Sequence, residues 1–332
     1  MIRLKSLIPD IENQLNAYQT MSKKQTKNTD EVEGQTKHHD NDRGRRNQIP
    51  KPKGILIAIG GSENKGDDAE IDSNQENNEN FEQYGILRRF VEELKGSDPY
   101  VVVIPTASSV PEESANDYLK AFGYLKVKRI DVADIRNRED ACKPEYLEMV
   151  RKADGIMFTG GDQLRLTAFL GGTEFLNILK DRYTHDPIVI AGTSAGAAAL
   201  STPMIFQGGA KNSGFLKGEI YVATGLEFLK DVAIDTHFVA RGRIVRMAHM
   251  IAMNPGALGI GLEEDTAILV TDGEEMEVIG SGIVTVCDGH PISYTNLPDI
   301  KDGEPITVRD MKVHFFSRGQ RYHMNKREQT YT

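Results

Sequence analysis

Ile188-Val189-Ile190-Ala191-Gly192-Thr193-Ser194-Ala195-Gly196-Ala197-Ala198-Ala199 reads as a strand, a sharp turn and the start of a helix. The run Ile188–Ala191 is apolar without alternation, as expected of a strand buried on both faces of a parallel sheet. Gly192 and Gly196 leave room for neighbouring backbone at a tight turn, and the small residues that follow open a helix. This arrangement holds a serine hydroxyl above the carboxyl end of a sheet. The positive end of the helix there favours a developing oxyanion. Ser194 is therefore a candidate nucleophile, with the Ala195 N–H as first oxyanion donor. A Gly-rich turn that binds phosphate, or that only turns tightly, has the same outline.

Outward from this stretch the chain alternates. Further apolar strands are expected at Ile55–Ile59, Val101–Ile104, Lys126–Ile130 and Gly155–Phe158. Helical spacing recurs near Gln83–Leu94, Ser114–Phe122, Pro144–Lys152 and Glu174–Tyr183. Strands alternating with helices imply βαβ units, hence an α/β fold with a mostly parallel sheet flanked by helices. After about Gly256 the pattern changes to short strands separated by Gly, Pro and Asn turns: Ala267–Val270, Glu275–Ile279, Ile283–Cys287, Ile292–Tyr294 and Val313–Phe316. These are expected to extend the same sheet as additional antiparallel C-terminal strands.

The 332 residues carry a net charge of −9, unevenly spread. Residues 1–53 hold 11 Lys/Arg against 7 Asp/Glu, a surplus of four positive charges, which leaves −13 on residues 54–332. Residues 1–52 read as a polar, disordered leader, with a short amphipathic helix possible over Ile2–Met21. Residues 53–332 read as a single α/β domain. Within it the polar stretch 62–83 reads as a mobile acidic insertion, either a solvated loop or an acidic lip that attracts a cationic substrate. The acidic balance argues against a general nucleic-acid binder. No apolar run is long enough to span a membrane. Cys142 and Cys287 make no disulfide framework and fit a reducing, cytoplasmic setting. No metal signature is present, and no cofactor is called for.

A serine nucleophile needs a base. Among the eight histidines, His237 stands apart because it follows the strand-like Val232-Ala233-Ile234, in Asp235-Thr236-His237-Phe238. Ligand sites of α/β sheets lie outside the carboxyl ends of strands, which makes His237 the best base for Ser194. Arg241, Arg243 and Arg246 follow, at the start of a helix expected over Arg241–Met253, and their guanidinium forks suit carboxylates. Phe158-Thr159-Gly160-Gly161-Asp162-Gln163 closes another strand, and Gly161 could supply the second oxyanion N–H. Ile59-Gly60-Gly61-Ser62 ends the first strand in the same manner, but its glycine spacing is wrong for a dinucleotide turn.

Together these pieces resemble the cyanophycinase family of serine peptidases, a class I glutamine amidotransferase-like (flavodoxin-like) fold. The resemblance runs in order through GILIAIGGSENKG, VVVIPTASS, IMFTGGDQLRL, IAGTSAGAAALS, KGEIYVATGLEFL, IDTHFVARGRIVRM and GIGLEEDTAILV, from about Lys53 to Gly289. It implies an exopeptidase that cleaves cyanophycin, a polyaspartate bearing arginine on each side chain, to β-Asp-Arg dipeptides, and it suggests a homodimer. It implies Ser194 as nucleophile and His237 as base. Gln163, Asp235 and Thr236 would line the pocket for the substrate's arginine end, Thr236 standing where the family has glutamine. Arg241, Arg243 and Arg246 would hold substrate carboxylates. The orienting acid is expected soon after the nucleophile, but Gln207–Ser213 contains no carboxylate. Glu219, the next acid, is taken for that role, with Asp235 as the alternative. The other readings are an aspartyl dipeptidase of related fold and a catalytically impaired member that only binds Asp- and Arg-containing peptides.

Overall fold

The computed structural model describes residues 50–66, 81–208 and 214–330. The expected leader, up to residue 49, and most of the expected acidic insertion lie outside the described residues, as does the stretch 209–213.

Five strands form the parallel part of a nine-stranded sheet: β1 (Ile55–Ile59), β2 (Tyr100–Ile104), β3 (Arg129–Val132), β4 (Gly155–Phe158) and β5 (Val189–Thr193). Their order is β1-β5-β4-β2-β3, with every neighbouring pair parallel. Because these strands run parallel, the carboxyl ends of β1, β4 and β5 lie together on one side of the sheet, the side where α/β folds build their sites.

Burial on both faces explains the unbroken apolar runs. Leu56, Ala58, Val102, Ile104, Ile156, Phe158 and Ile190 point to one face, and Ile57, Ile59, Val101, Val103, Met157, Val189 and Ala191 to the other. The second face is covered by the helices Gly85–Glu93, through Ile86, Leu87 and Phe90, and Pro111–Tyr124, through Ala115, Tyr118, Ala121 and Phe122. The first face receives the helices Pro144–Lys152, Gln163–Leu170 and Glu174–His185.

The chain then passes through β6 (Ser201–Thr202), β7 (Met204–Gly208), β8 (Ile220–Ala223), β9 (Leu229–Lys230), β10 (Val232–Thr236) and β11 (Leu258–Leu262). The late strands are β12 (Thr266–Thr271), β13 (Glu275–Gly280), β14 (Val284–Asp288), β15 (Tyr294–Thr295), β16 (Val308–Arg309), β17 (Lys312–Phe316), β18 (Arg321–His323) and β19 (Glu328–Thr330). β12 and β13 extend the first sheet antiparallel beside β1, as expected, and β18 and β19, where no strand was expected, continue it. β14 and β17 do not. They join a second, six-stranded sheet in the order β17-β14-β11-β10-β6-β9. The chain changes sheets at Gly280-Ser281-Gly282, where Gly280 holds a positive φ of 91° and packs onto the Asp265 backbone. Ile234, Leu258, Ile260, Val284 and Val286 of this second sheet share the core of the first face. The strand expected over Ile292–Tyr294 is only the short β15, paired with β16.

The strand expected at Lys126–Ile130 begins later, at Arg129. The end of the preceding helix consumes those residues: Lys126 N–H donates to Gly123 O, Val127 N–H to Phe122 O, and Lys126 takes the left-handed φ of 66° that closes a helix this way. Among the described residues, no helix is long and apolar enough to cross a membrane.

Candidate active site

Ser194 sits between β5 and the helix Ala195–Leu200 with φ 50° and ψ −110°, a conformation few non-glycine residues adopt. The turn closes because Gly192 and Gly196 touch: a Cβ on Gly192 would strike the Gly196 carbonyl group, and one on Gly196 would strike Phe158 O. Ser194 N–H donates to Ile59 O at 2.9 Å, tying the turn to the end of β1.

His237 follows β10 directly and is buried, with φ 50°. Its Nε2 lies 3.0 Å from Ser194 Oγ. Its Nδ1 lies 2.5 Å from Glu264 Oε1. An ionised carboxylate only accepts hydrogen bonds, so the neutral ring carries its proton on Nδ1 and offers the Nε2 lone pair to the Ser194 hydroxyl. Glu264 follows β11, the parallel neighbour of β10, so adjacent strand ends deliver the two residues side by side. Its neighbour Glu263 accepts from the N–H groups of Val239 and Ala240 at 2.6 and 3.3 Å, fixing the turn beyond His237. Gly61 closes the other side of the ring: it has φ 103°, and a Cβ there would collide with the imidazole.

Glu264 therefore occupies the orienting position, which corrects the expectation of Glu219. Glu219 instead accepts from Leu216 N–H at 3.0 Å, near the start of β8. Asp235, the alternative, is also engaged elsewhere. Glu264 lies far beyond the stretch soon after the nucleophile where the orienting acid is expected. The signal was present in Leu262-Glu263-Glu264-Asp265: carboxylates at a strand's carboxyl end, the same position that singled out His237.

The oxyanion candidates lie beside the nucleophile. A Cβ on Gly160 would come within 3.5 Å of Ser194 Cβ, so the Gly160-Gly161 turn flanks the hydroxyl. Asp162 N–H donates to Ala107 O at 3.0 Å, and the Asp162 side chain caps the helix Gln163–Leu170. Among the described residues, the N–H groups of Gly161 and Ala195 donate to no partner. Gln163 Nε2 donates to Ile205 O at 2.9 Å.

Asp235 is not an open receptor for a guanidinium, contrary to expectation. Its Oδ1 accepts from Thr236 N–H and Arg243 Nη1, both at 2.9 Å, and from Arg246 Nη2; its Oδ2 accepts from Arg246 Nε at 2.9 Å. Arg243 also donates to Thr236 O, and Arg246 to Gly208 O. A buried carboxylate without cations would be costly, and arginines three apart present both forks to it. The cluster keeps a net charge of +1. The expected helix begins only at Ile244, so Arg241 lies in the preceding turn, exposed, and Arg243 stands at the N-cap position without a capping side-chain bond. Thr236 is buried. Among the described residues, no group of His, Cys, Asp and Glu is arranged to hold a metal ion.

Residues 71–279 match the family described as "Peptidase family S51". The chain is 32% identical over 275 residues to the cyanophycinase of Trichormus variabilis, covering 83% of this chain and 87% of that protein. It is 34% identical over 272 residues to the cyanophycinase of Synechococcus elongatus, covering 82% and 80%. A solved peptidase from an acI-B1 Actinobacterium shares the fold, with a TM-score of 0.55 and 20% identity over 83% of this chain and 98% of that one. The chain belongs to peptidase family S51, and it is a serine-type peptidase of the cyanophycinase family.

Proposed function

We propose that the chain hydrolyses cyanophycin to β-Asp-Arg dipeptides through an acyl-enzyme on Ser194. The observation that carries this reading is the unbroken line from Ser194 Oγ to His237 Nε2, 3.0 Å, and from His237 Nδ1 to Glu264 Oε1, 2.5 Å. His237 takes the Ser194 proton as the oxygen attacks a peptide carbonyl, and Glu264 steadies the imidazolium that forms. The N–H groups of Gly161 and Ala195 receive the oxyanion. His237 then returns its proton to the leaving amine, and water, activated by the same histidine, releases the acyl group. The curated relatives named cyanophycinase support the substrate. So does the local positive charge of Arg241 with the Asp235–Arg243–Arg246 cluster, which suits an aspartate chain in an otherwise acidic molecule.

A chain that only binds peptides would need no acid beside His237, so the nearness of Glu264 to that ring supports catalysis over binding alone. The substrate is tested by offering insoluble cyanophycin beside a panel of Asp-X and β-Asp-X dipeptides. Turnover of the polymer with little dipeptide cleavage supports the proposal. Turnover of dipeptides alone overturns it in favour of an aspartyl dipeptidase.

A further inference from the structure

Next to the nucleophile, held between Thr193 and Tyr118, lies a buried carboxylate that the mechanism above does not use. The Glu63 side chain is 1% exposed. Its Oε2 accepts from Thr193 Oγ1 at 2.5 Å, its Oε1 accepts from the Tyr118 hydroxyl, and Lys65 Nζ lies 3.1 Å from Oε1. Lys65 also sits 5.1 Å from the centre of the Tyr118 ring. Burial pushes this carboxyl up, but Lys65 and the two hydroxyls outweigh it and hold the group below its ordinary value. An ionised group is thus kept beside Tyr118, itself part of the apolar layer on this face, where hydrocarbon would pack at lower cost.

The loop that carries Glu63 also holds His237 and Asp265, the residue after Glu264. Gly60 O accepts from His237 N–H and Gly61 O from Asp265 N–H, each at 3.0 Å. Asn64 N–H donates to Asp265 Oδ1 at 3.2 Å, and Asp265 adjoins Glu264. Thr193, held by Glu63, adjoins Ser194. Four non-glycine residues in this small region have positive φ: Ser62 at 47°, Ser194 at 50°, His237 at 50° and Asp265 at 48°. Conformations of this kind persist only where the surroundings over-determine them.

We propose that Glu63 is a positioning residue for the reaction: its carboxylate locks the Thr193 hydroxyl, and with it the strained Ser194 turn, to a loop that also holds the backbones of His237 and Asp265. The assignment rests on the serine-peptidase reading of Ser194 and His237.

The test is the rate at which a fluorophosphonate probe modifies Ser194, a readout independent of substrate identity. It compares wild type with Glu63→Gln, Thr193→Val, Thr193→Ser and the Glu63→Gln/Thr193→Val pair. Small displacements of reacting groups cost up to about a hundredfold, so Glu63→Gln and Thr193→Val should each label about ten- to a hundredfold more slowly. Thr193→Ser, which keeps the hydroxyl, should recover most of that loss. The double variant should be no slower than the worse single variant, because both changes remove one interaction. With peptide substrate, kcat should fall while KM changes little. Folded Glu63→Gln and Thr193→Val proteins that label at the wild-type rate overturn the assignment, even if they melt earlier. Should Glu63→Gln not fold, Thr193→Val carries the test by itself. A wild-type protein that does not label overturns the peptidase reading and the assignment with it, which separates the two failures.

Discussion

Glu264 Oε1 lies 2.5 Å from His237 Nδ1, although the two residues are 27 apart in sequence and belong to the ends of different strands. Their meeting follows from the parallel pairing of β10 with β11, which sets Thr236 opposite Leu262 and so brings the residues just beyond each strand together. Glu264→Gln keeps the shape but removes the charge that selects the Nδ1–H tautomer. It is expected to lower kcat by about three to four orders of magnitude. Glu219→Gln is expected to leave kcat unchanged. Measured peptide hydrolysis with the opposite ranking would return the orienting role to Glu219.

Arg246 and Asp235 are both buried and joined through two guanidinium nitrogens. Removing one partner of such a pair strands the other in a low-dielectric site. Arg246→Met is expected to lower the unfolding free energy by about 3 kcal/mol, read from urea midpoints at constant slope. A loss too small to resolve would show that Arg243 alone satisfies Asp235.

The Glu63 carboxyl is held below its ordinary value of 4.5, so the fold binds its proton less readily than the unfolded chain does. Its contribution to stability is therefore full above pH 4.5 and is lost as the pH falls through the folded value. The gap in unfolding free energy between wild type and Glu63→Gln should be widest near neutrality and should narrow steadily in acid. A gap that is constant down to pH 3 would mean that the charge of Glu63 does not matter to the fold, on the scale of an ordinary carboxyl titration.

The two thiols differ in environment. Cys142 is exposed, whereas Cys287 in β14 is buried and burial pushes its thiol up to about 12. Ellman's reagent should modify Cys142 alone in the native protein and both thiols in denaturant. Native modification of Cys287 would reveal opening of the second sheet.

The parallel half of the fold was readable because β1, β2, β4 and β5 are buried on both faces, whereas β3, at the sheet edge, is not. Val101–Ile104 and Gly155–Phe158 show that burial directly as unbroken apolar runs. The division into two sheets was not readable. β13 and β14 are both short strands, and the chain passes from one sheet to the other at Gly280-Ser281-Gly282, which the sequence shows only as a turn. The pairing of Ser194 with His237 was anticipated because both follow strand-like runs, and the structure places them in contact. The use of Asp235 as counter-ion to Arg243 and Arg246 was hidden, since an acid and two arginines can equally face a ligand or one another, and only burial decides. Glu63 gave no signal, because its environment is made by Thr193 and Tyr118, distant in sequence, and by its close neighbour Lys65.

The central claim is that Ser194, activated by His237, cleaves cyanophycin. The most direct measurement is mass spectrometry of the soluble products released from purified cyanophycin by the wild-type protein and by Ser194→Ala. The account predicts β-Asp-Arg from the wild type and none above background from Ser194→Ala. Full release by Ser194→Ala, or no release by a folded wild-type protein, would contradict it.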